Sequence, residues 1–157
     1  MRITLGRALA ILVVLAGYAV AAPAAAQEID FGVRASAFVE DADPALGLEL
    51  VVPFGDRLWA FNPNAEVVFG GERDRWAANL DVVRVLRSDT ESALWAGAGL
   101  ALIHTDDERR GRDDTDDAGL NLLVGMSWRI DDLTPYGQVK VIAADDAELV
   151  LSVGIRF

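Results

Sequence analysis

The last eleven residues alternate without a break. Ala147, Leu149, Leu151, Val153, Ile155 and Phe157 share one face, and Glu148, Val150, Ser152, Gly154 and Arg156 share the other. Successive side chains of a strand point to opposite sides of the sheet, so a period of two with one apolar side specifies a β-strand and excludes an amphipathic helix. The pattern recurs upstream. In residues 119–130, Leu120, Leu122, Val124, Met126, Trp128 and Ile130 oppose Asn121, Leu123, Gly125, Ser127 and Arg129. Trp59, Phe61, Ala65, Val67 and Phe69 oppose Asn62, Asn64 and Glu66, and Phe31, Val33, Ala35, Ala37 and Val39 oppose Asp30, Gly32, Arg34, Ser36 and Glu40.

Gly, Asp, Pro and Ser clusters divide the chain after residue 27 into eight strand-length segments: 28–40, 45–54, 57–69, 74–87, 92–104, 119–130, 133–143 and 147–157. The number is even and the connections are short, as an antiparallel meander requires. No helical period persists after residue 27. The predicted fold class is all-β, an eight-stranded antiparallel up-and-down barrel over residues 27–157.

The first 26 residues fall outside that fold. Arg2 and Arg7 make a basic start, residues 8–22 are apolar and uncharged, and Pro23-Ala24-Ala25-Ala26 ends in an Ala-x-Ala pattern, the layout of a cleaved export signal. A retained anchor is the alternative, but an apolar run of about 15 residues is short of the roughly 20 that cross a bilayer as a helix. Without Arg2 and Arg7, 12 of the 14 Lys+Arg remain against 25 Asp+Glu, a formal charge of −13. That balance excludes nucleic acid as a partner, because phosphate binding needs clustered cations. The sequence has no cysteine and hence no disulfide framework.

A period of two with one apolar face fits either a soluble sandwich or a membrane barrel. Three features favour the membrane. The polar face carries both signs of charge, in Arg34, Glu49, Glu66, Asp81, Arg129, Lys140, Glu148 and Arg156, and the lumen of eight strands is narrow enough for such side chains to fill it and pair. With both termini on the periplasmic side, Phe54, Trp59, Phe61, Trp128 and Phe157 fall near one rim and Phe69 and Trp76 near the other, as interfacial aromatics do. The alternating last strand closes on Phe157. The run Leu149-Val150-Leu151-Ser152-Val153-Gly154-Ile155-Arg156-Phe157 resembles the C-terminal signature of bacterial outer-membrane proteins. With Phe61-Asn62-Pro63-Asn64 and Gly119-Leu120-Asn121-Leu122, it makes the chain similar to small eight-stranded outer-membrane barrels of the OmpA/OmpX-like kind. The resemblance implies an outer-membrane location, Phe157 as the signal read by the barrel-assembly machinery, contact with outer-membrane lipid and lipopolysaccharide, and a monomer. It implies no cofactor.

Three details strain the pattern. Pro63 lies in mid-strand on the outer face, where its missing N–H predicts a bulge. Arg84 interrupts the apolar face of the fourth strand, close enough to the turn at Ser88-Asp89 for its head to reach the interface at a cost of about 0–1 kcal/mol. The fifth strand is apolar on both faces, which leaves its inner side unassigned, although Gly97 and Gly99 suit positions beside large lumen side chains.

Catalysis and metal binding have thin support. The one histidine, His104, would need Ser36 or Ser127 on its own face and at its height to build a Ser-His-acid relay, and no Gly-x-Ser-x-Gly motif is present. The chain is therefore read as a non-enzyme. The acidic loop 105–118 holds Asp106, Asp107, Glu108, Asp113, Asp114, Asp116 and Asp117, but Arg109, Arg110 and Arg112 offset them, and a solvated loop is the simpler reading than a calcium site or a divalent bridge to lipopolysaccharide. The expected role is structural or envelope-interacting, with a charge-paired, filled lumen. The alternatives are a narrow channel for ions or small solutes and a soluble periplasmic barrel around a small apolar ligand.

Overall fold

In the computed structural model, which describes residues 29–70, 74–106, 115–144 and 147–157, eight strands pair in sequence order and close on themselves. They are β1 (Asp30–Phe38), β2 (Asp43–Phe54), β3 (Trp59–Val68), β4 (Asp74–Ser88), β5 (Ser92–Asp106), β6 (Thr115–Trp128), β7 (Thr134–Ala143) and β8 (Ala147–Arg156). Every pairing is antiparallel, and β1 meets β8 from Gly32↔Arg156 to Phe38↔Val150. Phe31 and Phe157 exchange both backbone hydrogen bonds (2.9 and 3.1 Å), which extends the closure past the last strand residue. The proposed export signal, residues 1–26, lies outside the described residues.

The two faces are sorted as the alternation requires. Outward side chains are apolar and exposed, for example Leu122 (65 %) and Val153 (64 %), whereas the inward Asp81 and Lys140 are 0 % and 1 % exposed. From Leu120 to Trp128 the outward face of β6 covers eight residue steps; at about 3.3 Å per step and a tilt near 40° that rises roughly 20 Å, close to the ~25 Å apolar band of an outer-membrane barrel. In β5, Trp95, Ala101 and Ile103 point inward and Leu94, Leu100 and Leu102 outward. Small residues fill the remaining positions of both faces, which is why its sequence hides the phase.

The bulge expected at Pro63 is absent. Pro63 pairs with Leu80 in an unbroken β3–β4 register, and the β2–β3 register is the same on both sides of it. Opposite Pro63 the carbonyl of Leu50 accepts instead from Asn62 Nδ2 at 2.8 Å, so a neighbouring side chain replaces the N–H that proline lacks. The register shift falls elsewhere, between Val85 and Arg87 on β4.

The lumen is layered. At the end where β1 begins and β8 finishes (the termini end), Ala60, Val83, Trp95, Leu123 and Tyr136 pack into one apolar layer. At the opposite end Phe38, Ala45, Val68, Ala77, Ala101, Ile103, Ile142 and Val150 form a second. The buried charges Arg34, Glu49, Glu66, Asp81 and Lys140 lie between these two layers.

Candidate functional site: the lumen and the outer face

The polar layer is one connected network built from strands on both sides of the barrel. Arg34 on β1 reaches Glu66 Oε1 with Nε (2.6 Å), Ser152 Oγ with Nη2 (2.8 Å) and Glu49 Oε2 with Nη1 (3.7 Å). Ser36 donates to Glu66 (2.6 Å) and lies 2.8 Å from Ser152 Oγ, so β1, β3 and β8 meet at one point. Glu49 also accepts from Arg156 Nε at 2.7 Å and from Asn62 at 3.3 Å. On the other side Lys140 Nζ sits 3.0 Å from Asp81, whose carboxylate accepts from Asn64 (3.0 Å) and Asn121 (2.7 Å). Asn79 donates to Asn64 (3.0 Å) and accepts from Asn121 (2.9 Å), closing a ring of amides around Asp81. Arg34 Nε and Lys140 Nζ meet their carboxylates as charge contacts whose angles fall short of hydrogen bonds.

Three cations, Arg34, Lys140 and Arg156, face three carboxylates, Glu49, Glu66 and Asp81, so the layer is formally neutral. Neutrality is what burial at this depth demands, because an unpaired charge away from water is costly; the Gln138 amide, also buried in the lumen, makes no hydrogen bond among the described residues. Glycines make the room. A Cβ on Gly99 would collide with Asp81, one on Gly32 with Glu49, and one on Gly125 with the Trp95 ring.

Each apolar layer is capped by an arginine. At the termini end the Arg156 guanidinium lies 4.2 Å from the Tyr136 ring centroid and 4.8 Å from that of Trp95. At the other end Arg75 lies 4.7 Å over Phe38 and pairs with Glu148 and, at 3.9 Å, with Asp41. Seven of the eight residues read from the sequence as interior charges therefore face the lumen: Arg34, Glu49, Glu66, Asp81, Lys140 and Arg156 in or beside the polar layer, and Glu148 at the mouth. Arg129 does not. It lies one residue past the end of β6 and is exposed, because the inward parity of that strand ends at Ser127. Arg75, at the mouth with Glu148, was missed, although its parity with Asp81 on the same strand places it inside. Phe38 and the amide ring through Asn79 were missed as well; Phe38 is inward at the strand end, where the period of two gives way to the turn.

Among the described residues no Ser-His-acid relay is assembled. Ser36 and Ser127 face the lumen, whereas His104 faces outward at the rim opposite the termini. There it stacks near Trp76 (5.4 Å) and sets Nδ1 2.7 Å from Asp116 Oδ1, and among the described residues no hydroxyl completes a relay with it. The rest of the acidic loop, residues 107–114, lies outside the described residues.

The outer face carries its aromatics at the rims. Phe54 stacks on Phe61 (4.5 Å) and Trp59 (6.5 Å), and Phe31 meets Phe157 edge-on (5.3 Å), all near the termini end. Arg84, the cation on this apolar face, lies 5.4 Å over the ring of Trp59, its direct partner across β3 and β4.

No family model matches the chain, and no curated protein matches it in sequence. Solved structures do. Neisserial surface protein A superposes with a TM-score of 0.58 at 13 % identity, over 82 % of this chain and 92 % of that one. Ail, the attachment invasion locus protein of Yersinia pestis, gives 0.55 at 15 % identity over 82 % and 96 %. The outer membrane enzyme PagL gives 0.55 at 10 % identity over 82 % and 98 %. The chain thus has the fold of the small eight-stranded outer-membrane β-barrels, a fold that these neighbours put to different uses.

Proposed function

We propose that this protein is a non-conducting barrel of the bacterial outer membrane with a structural or envelope-interacting role, not an enzyme and not a pore. One observation carries the reading: a neutral, hydrogen-bonded charge layer closed at both ends by packed apolar layers. A solute crossing the lumen would have to part Trp95 from Tyr136, break the ion pairs of Glu49 and Asp81, and displace Phe38. Eight strands leave no free bore beside such a filling. The exposed apolar face supports residence in lipid, since in the absence of water only a closed barrel or a helix satisfies its own backbone. Contact with outer-membrane lipid and lipopolysaccharide, handling of Phe157 by the barrel-assembly machinery, export by a cleaved signal and a monomeric state belong to the same proposal. Purified protein in planar lipid bilayers is expected to give no single-channel conductance at either polarity. Discrete, voltage-stable openings by the unmodified protein would contradict the sealed lumen and favour the narrow channel.

A further inference from the structure

Arg84 is a charge on a face that is otherwise mostly apolar; Arg87, paired with the outward Leu94, lies nearer the turn. Arg84 is exposed, it projects from the apolar face of β4, and among the described residues no carboxylate pairs with it; its guanidinium lies 5.4 Å from the centroid of the Trp59 ring. Two acids at the same rim already accept hydrogen bonds within their own turns. Asp56 Oδ1 accepts from the backbone N–H of Leu58 (3.0 Å). Asp89 accepts from the N–H groups of Glu91 (2.9 Å) and Ser92 (2.7 Å) and from Ser92 Oγ (3.0 Å), hydrogen bonds that hold its carboxyl below the usual range. Below the guanidinium, Trp59, Phe61 and Phe54 form a continuous stacked surface on the lipid-facing side. A planar cation over an indole, beside an apolar wall and without an acidic partner among the described residues, is complementary to a phosphodiester attached to acyl chains. Arginine pairs with phosphate in a bidentate geometry and stacks on aromatic faces at the same time.

We infer that Arg84, on the platform of Trp59, Phe61 and Phe54, is a binding site for the phosphate headgroup of a glycerophospholipid in the leaflet nearest the chain termini. The inference rests on the membrane reading above and adds to it a particular place and a particular chemistry. Headgroup phosphate supplies the anion, and the acyl chains lie along the aromatic stack.

The test is native mass spectrometry of the full chain released from nonionic detergent after incubation with phosphatidylglycerol, phosphatidylethanolamine or the diacylglycerol of the same chains. The protein should retain either phospholipid and hold the diacylglycerol about tenfold more weakly, with Arg84→Gln lowering phospholipid retention by about tenfold, the loss of one charge-assisted contact. Trp59→Leu should weaken it too, whereas Arg129→Gln, an exposed cation at the same rim away from the stack, should not. Equal retention by Arg84→Gln and the parent, equal retention of diacylglycerol, or displacement of the lipid by millimolar inorganic phosphate would each overturn the site. Gel migration before and after boiling separates the two levels. A parent that is not heat-modifiable undermines the membrane reading itself, while a heat-modifiable parent with an unaffected Arg84→Gln removes the site alone.

Discussion

Glu49 is the acceptor on which the lumen converges, with Arg156, Arg34 and Asn62 all directed at its two oxygens. Truncating it leaves two buried guanidinium groups short of a partner. Glu49→Ala should destabilise the barrel by about 3–5 kcal/mol, read as a lower urea midpoint for unfolding from lipid vesicles. Arg129→Ala, at an exposed site, should stay within about 0.5 kcal/mol. Equal midpoints for the two variants would contradict the ion-paired layer. Asn62 makes a second residue-scale case. Asn62→Ala strips the Leu50 carbonyl of its donor opposite Pro63, an unmet buried acceptor worth about 1–3 kcal/mol. Pro63→Ala restores the missing N–H, so the same Asn62→Ala change should cost clearly less in a Pro63→Ala background. A strictly additive double-mutant cycle would show that the two groups do not substitute for each other.

At the scale of the strand, glycines decide what fits inside. On β6, Gly125 faces inward against Trp95, while Gly137 on β7, its diagonal neighbour across the ladder, faces outward with open space where a Cβ would lie. Gly125→Ala should cost about 1–3 kcal/mol by overpacking the aromatic layer, and Gly137→Ala should be tolerated. The reverse order in thermal loss of heat-modifiable migration would mean that the inner and outer sides are exchanged. These elements also mark how far the sequence could be read. All eight strands were legible because inside and outside impose opposite chemistry on alternate residues, and the terminal strand shows it with the one exception of Val150, which is apolar and inward. The fifth was legible as a strand but not in phase, since Ala96, Gly97, Ala98 and Gly99 carry no polarity contrast. Pro63 pointed to a bulge because its repair comes from a side chain, Asn62, that no local rule assigns to a carbonyl on the next strand. The true irregularity at Val85–Arg87 has no Gly or Pro to announce it. Individual charges on the inner face were legible from parity. Their pairing was not, because partners such as Glu49 and Arg156 are brought together only by closure of the barrel. Arg129 went astray for a related reason: parity continues in a sequence after the strand that gives it meaning has ended.

The whole molecule inverts the usual arrangement of a soluble protein, with charge at the axis and hydrocarbon on the surface. The two apolar layers, Phe38 with Ile142 and Val150 at one end and Trp95 with Tyr136 at the other, turn that axis into a filled core. The fold leaves function open, and the proposed role rests on the packed layers and the balanced charges of the lumen. Because the sequence contains no cysteine, single-cysteine scanning reads the inside-out arrangement directly. An environment-sensitive thiol dye, placed singly at positions 120 to 125 of β6 in protein refolded into vesicles, should report hydrocarbon at 120, 122 and 124. At 121, 123 and 125 labelling should be blocked or should report a packed interior. The opposite phase, or a labelled chain that stays folded and monomeric in buffer without lipid or detergent, would contradict the account.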